Sequence, residues 1–269
     1  KPCEAYATWG AASLSGNDPL KGQDALTRTI WARVTEAAER HNQPGRFTAF
    51  IGFEWSSTPG GSNLHRNVMF RDGKDKADQI LPFSSYDSAD PEDLWQWMAA
   101  YEQKTGGRLL AIPHNGNLSN GQMFDVETLT TRKPLDHDYA VRRMRWEPLY
   151  EVTQGKGDGE THPSLSPSDE FANFERWDKG SFGPQAKTPD MLPREYAREA
   201  LKRGLAYAQQ LGANPFKFGL VGSTDTHTSL STATEDNFFG KATPVEPSAN
   251  PARFEEKMTG YLPNPDGKD

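Results

Sequence analysis

"LVGSTDTH", residues 220–227, passes from small apolar residues through Gly-Ser to an acid and an imidazole two positions apart. Its reading decides the fold. The apolar run 216–221 follows the breaker Asn214-Pro215, which is the pattern of a short buried strand, and Gly222-Ser223 opens a turn behind it. In barrels and open α/β sheets, side chains at the C-terminal ends of parallel strands converge on the active site. If the chain stays extended, Asp225 and His227 face the same side, because side chains alternate with period two. That placement suits two ligands of one metal centre. The pair alone is weak, since an acidic chain with six His residues produces Asp-x-His by chance.

Outward from this stretch, other segments read the same way. Leu26, Ile30, Val34, Ala37 and Ala38 have helical spacing over residues 23–41, and Asn42-Gln43-Pro44-Gly45 stops that helix. Residues 47–53 form an apolar strand ending in Glu54-Trp55, and 64–70 a second extended piece that starts beside His65. Asp90-Pro91-Glu92-Asp93 is a helix start, with a capping acid, Pro at the first position and acids at the positive end of the dipole; the helix runs to about Lys104. A strand at 109–112 closes on Pro113-His114-Asn115-Gly116-Asn117, and another at 149–152 carries Glu151. A long helix follows Pro193 and leads into the opening strand. Taken as helix and strand in alternation, with strands apolar throughout, the chain predicts an α/β domain with a parallel sheet.

Composition bounds the function. The 269 residues suffice for one large domain, expected over 1–245, followed by a Pro-rich, loosely ordered tail over 246–269. Net charge is −7 with no basic stripe, which argues against nucleic acid as the main partner. No run approaches the roughly 18 apolar residues of a membrane span. The single cysteine, Cys3, excludes a disulfide framework and any Cys-rich zinc site. Oligomeric state and compartment are not legible. What the strands end on says more. Glu54, His114, Glu151 and the Asp225/His227 pair sit at strand ends, with His65 at the start of a further strand. Imidazole and carboxylate together suit zinc, manganese or iron, although any one loop His taken alone reads as a solvated side chain.

These residues also carry a resemblance. "GFEW", "AIPHNGN", "YEV" and "GSTDTH" occur in the order of the PHP superfamily, which hydrolyses phosphoesters with two or three metal ions on a distorted (β/α)7 TIM-like barrel. Nearly the whole chain resembles a bacterial branch, domain-of-unknown-function family 3604, through "RFTAFIGFEW", "NLHRNVMFRD", "IPHNGNLSNG", "WEPLYEVTQGKGDGETHP" and "NPFKFGLVGSTDTHT". The resemblance implies Glu54 as a bridging carboxylate, His65 and His114 as ligands, and Asp225 and His227 as the terminal ligand pair, with Glu151 behind them. It implies a metal-dependent hydrolase of small phosphoesters or similar anions in the bacterial cytoplasm or periplasm. The superfamily's opening His-x-His strand is missing, as is its second strand bearing Asp and His. The expectation is therefore an N-terminally incomplete barrel, a longer parent protein holding two or three ions, and weak activity in this piece alone.

Five further positions complete the expected site. Arg66 and Lys156 would meet a substrate anion, His162 would protonate a leaving group, and the loop at Asn115 and Asn117 would present backbone N–H groups. Each also reads as ordinary surface or loop structure. Other chemistries stay open: a metal hydrolase of another ester, an amide or a sulfate, or a binding module with a degenerate site.

Overall fold

The computed structural model describes residues 17–240 apart from 229, 231, 233 and 238. The tail expected after residue 245 lies outside them. Helix α1 (Asp24–His41) precedes strands β1 (Ile51–Trp55) and β2 (Arg66–Phe70) and the short helix α2 (Lys74–Ala77). Then come α3 (Pro91–Thr105), β3 (Leu109–Pro113), α4 (His137–Trp146), β4 (Leu149–Gln154), β5 (Gly157–Asp158), α5 (Ala197–Leu211) and β6 (Gly219–Gly222). The architecture is mixed α/β, built on two three-stranded sheets ordered β1-β2-β3 and β5-β4-β6, and the strands do not close into a barrel among the described residues.

The parallel-sheet expectation holds for only half of this. β1, β2 and β3 pair antiparallel, with Trp55 opposite Arg66 and Arg66 opposite Pro113. The physical reason is connection length: residues 56–65 hold only a single 3-10 turn, and a parallel crossover needs a dozen or more residues. β4 and β6 are parallel, and a lone parallel bridge from His114 to Glu151 joins the two sheets. Since β1 runs antiparallel to β2 and β2 to β3, β1 and β3 point the same way. The ends of β1, β3, β4 and β6 therefore gather at one side, together with the start of β2.

Local chemistry sets the element ends. The Asp90 side chain accepts from Glu92 N–H at 2.9 Å to cap α3, and Gly106 in the left-handed region closes it. Two strands differ from expectation. β1 begins at Ile51, leaving Phe47 and Phe50 exposed before it. β6 is not buried: Gly219, Leu220 and Gly222 are exposed, while Phe216 ahead of it packs against Phe124 at 5.5 Å between ring centres. The core lies under the first sheet, where Trp55, Val68, Trp95, Met98 and Tyr101 are buried. A charged knot sits in it. Arg66 Nε meets Glu147 Oε1 at 3.0 Å, Arg143 Nε meets Oε2 at 3.1 Å, and Trp95 Nε1–H donates to Oε1 at 3.0 Å.

Candidate metal centre

The antiparallel register builds the first half of the site. Glu54 stands opposite Asn67 on β2, and Asn67 stands opposite Ile112 on β3. His65 and His114 lie two residues further along those strands, so with period-two alternation Glu54, His65 and His114 share one face of the sheet. His114 N–H donates to His65 O at 3.3 Å, which carries the pairing one step past the strand ends. Arg66 and Trp55 occupy the opposite face, with the guanidinium 5.8 Å from the indole centre. Arg66 therefore does not join the site. It is spent on Glu147 and the Leu64 carbonyl in the core, so the expectation that it meets a substrate is corrected by strand alternation.

Ligand atoms of Glu54, His65 and His114 lie within 4.8 Å of one another, and so do those of Glu54, Asp225 and His227. Glu54 belongs to both groups. His65 Nδ1 is 2.7 Å and His114 Nε2 3.4 Å from Glu54 Oε1. His114 is fully buried, yet neither of its ring nitrogens makes a hydrogen bond. A buried imidazole normally has its polar atoms satisfied, and a ring nitrogen left over in this way suits coordination to a cation. The donor set of three imidazoles and two carboxylates likewise suits a divalent cation. Zinc, manganese and iron all meet that description. Burial lowers the His65 pKa despite the nearby Glu54, which favours the neutral form that a metal ligand needs. Burial works against ionisation of Glu54, but His114 and His65 outweigh it and hold the carboxyl below the usual carboxylate range.

The second half arrives differently. Asp225 has φ of 51°, in the left-handed region, so the extended alternation expected for 225 and 227 is broken at its first residue. Asp225 and His227 reach Glu54 through this turn at the end of β6. Lys156, on the tight turn between β4 and β5, forms an ion pair with Asp225 Oδ2 and so stands at the cluster. Glu151 is buried behind it, its Oε1 accepting from Gln154 Nε2 at 3.1 Å; burial raises its pKa.

The loop after β3 is held from below. Asn115 adopts φ of 53°, and a Cβ on Gly116 would fall 2.3 Å from Glu195 O, so only glycine passes there. Lys187 Nζ donates to Asn117 O at 2.7 Å and to the buried Glu195 carboxylate at 2.6 Å. Asn117 is buried, and its Nδ2 donates to the carbonyls of Lys156 and Trp177 at 3.0 and 2.9 Å. It thus fastens two loops rather than facing a ligand. Asn115 Oδ1, beside His114, is buried without a hydrogen-bond partner. His162 is engaged elsewhere. Ser164 N–H donates to its Nδ1 at 3.1 Å, so Nε2 carries the proton toward Asp178 Oδ2 at 2.8 Å; none of these partners belongs to the cluster.

Sequence reasoning missed Thr58, whose hydroxyl lies 3.0 Å from His65 Nε2, and Phe182, whose ring stacks on His65. Thr58 lies in the "SSTPGG" turn, and nothing in that string marks it as a partner for a His seven residues on.

The chain is thus an α/β protein with a mixed imidazole and carboxylate cluster at one edge of its sheets. It belongs to the family described as "Protein of unknown function (DUF3604)", which it matches over residues 7–266. No curated protein and no solved structure matches it. No helix among the described residues is long and apolar enough to cross a membrane.

Proposed function

We propose that this cluster is the centre of a metal-dependent phosphoesterase, in a PHP-like protein whose sheets form part of a TIM-like barrel. The observation that carries the reading is His114: fully buried, unbonded at both ring nitrogens, and beside a carboxylate shared by two ligand groups. Divalent ions held there would activate water near neutral pH and neutralise charge on a transferring phosphoryl group. The chain's own residues supply the rest. Glu54 bridges the two groups, His65 and His114 complete one, and Asp225 and His227 complete the other. Lys156 offers a cation to an anionic substrate at the rim. Asn115 Oδ1, buried and without a hydrogen-bond partner, is an acceptor for a protonated group of the substrate. Glu151, kept protonated more readily by burial, can hold or release a proton behind the ligands.

The test uses the full-length protein, stripped with chelator and reloaded with manganese or zinc. Phosphate monoesters and diesters, a sulfate ester and a carboxylic ester are compared as substrates. Phosphate turnover is expected, dependent on metal and lost in Asp225→Ala and His227→Ala while circular dichroism stays unchanged. Turnover that survives metal removal, or full activity in His227→Ala, overturns the reading. Turnover of the sulfate or carboxylic ester alone replaces phosphorus as the target.

A further inference from the structure

Residues 171–182, "FANFERWDKGSF", form no helix or strand and reach the cluster at their end, where Phe182 meets His65. They are tied down at three places. Asp158 N–H donates to Glu175 O at 3.0 Å, and Asn117 Nδ2 to Trp177 O at 2.9 Å, which fastens the middle of the segment to the turn bearing Lys156. Its far end is fastened to the turn before β2. Phe182 N–H donates to Gly61 O at 2.9 Å, and a Cβ on Gly61 would fall 2.3 Å from Gly183 Cα, so the two backbones touch in a way that only glycine allows. This anchoring sets the Phe182 ring on His65, with centres 5.8 Å apart and planes at 26°. The ring is only half-buried.

The two halves of the cluster therefore carry different neighbours. An aromatic ring lies on His65 in one, and the Lys156 ammonium pairs with Asp225 in the other. Phe182 keeps part of its surface accessible beside His65, where an apolar group would lose contact with water on binding. The same segment exposes Phe171, Phe174 and Trp177.

We propose that Phe182 is a specificity-determining residue, and that the preferred substrate is an anionic phosphoester whose other substituent is aromatic. The phosphoryl group lies toward Lys156 and the shared carboxylate, and the aryl group lies on Phe182. This inference rests on the phosphoesterase reading above and names the substrate class of that same site.

The experiment is binding by calorimetry to the manganese-loaded full-length protein, with phenylphosphonate and methylphosphonate as paired probes. Neither can be turned over, so the result is independent of catalysis. Phenylphosphonate is expected to bind about tenfold more tightly, the ratio that one well-placed aromatic contact supplies. Phe182→Ala should bring the ratio close to one and Phe182→Leu to an intermediate value, with metal content unchanged in both. Equal binding of the two probes by the wild type, or a preference that survives Phe182→Ala, overturns the proposal and leaves the phosphoesterase reading standing. Failure to retain manganese, or failure to bind either probe, overturns that reading and this proposal with it.

Discussion

β2 and β6 both deliver ligands to the same cluster, and they are built in opposite ways. β2 is the central strand of its sheet, paired on both sides, and Arg66, Val68 and Phe70 are buried along it. β6 pairs only with β4 among the described residues and leaves most of its length exposed. Glu54, His65 and His114 are accordingly placed by ladder register on a rigid face. Asp225 and His227 hang from a left-handed turn beyond an exposed strand, and His227 is itself exposed. The contrast teaches where pre-organisation lies: the first group is held on a paired ladder, while the second is carried on a turn beyond an exposed strand.

The largest effect is expected beneath the rigid half. Glu147 sits in the core between Arg66 and Arg143, and Arg66, the first residue of β2, directly follows His65. Breaking a buried pair strands the remaining charges, so Glu147→Ala should cost about 3–5 kcal/mol in urea unfolding at neutral pH. Burial opposes ionisation of Glu147, but the two guanidinium groups outweigh it and depress its pKa. A depressed carboxylate stabilises fully above its unfolded pKa of about 4.3, and that stability is lost as pH falls toward the folded value. Wild type should therefore weaken on acidification below about pH 5, and Glu147→Gln should flatten that acid limb. An unchanged acid limb in Glu147→Gln would show that the first sheet does not depend on the knot.

Metal content separates the two halves next. Glu54→Gln removes the shared carboxylate and is expected to abolish binding at both groups, by more than about 100-fold, because direct ligands matter more than their supporting partners. His114→Ala should do nearly as much, since its group is the pre-organised one. His227→Ala should lower the number of bound ions by one and leave the first group loaded. Elemental analysis after dialysis checks all three. Equal losses in His114→Ala and His227→Ala would break the comparison and make the cluster one indivisible unit.

Much of the fold was legible because local rules agree. The Asp90-Pro91 cap, the Gly106 stop and the apolar spacing of α1 and α5 each point to a helix by independent chemistry. α4 was not legible. Its buried face is Tyr139, Ala140, Arg143 and Trp146, and the Arg is counted as polar unless its partner Glu147 is already known to lie inside. The hairpin of β1 and β2 was hidden by assuming alternation, although residues 56–65 contain nothing longer than a 3-10 turn before β2 begins at Arg66. At the site, residue types at strand ends marked five candidate ligands, which the structure brings within reach of one another in two groups sharing Glu54. Adjacency in sequence misled at Arg66, because one step along a strand is the other side of the sheet. Phe182 and Thr58 could not be read, since they reach His65 through loops whose paths no periodicity describes.

The smallest expected effect sharpens the idea that the first half is pre-organised. His65 is oriented from two sides: Glu54 Oε1 lies 2.7 Å from Nδ1 and Thr58 Oγ1 3.0 Å from Nε2. Thr58 is exposed, so replacing it by valine keeps the branched shape and removes one hydrogen bond without opening the core. Supporting partners of metal ligands are worth about 10–100-fold in affinity where they are buried, and an exposed one belongs at or below the low end of that range. Thr58→Val should thus weaken metal binding at the first group by no more than about tenfold, with the second group and the unfolding midpoint unchanged. Calorimetric titration with manganese measures it. No change would mean that the Glu54 contact and the ladder register hold the ring without help from Thr58.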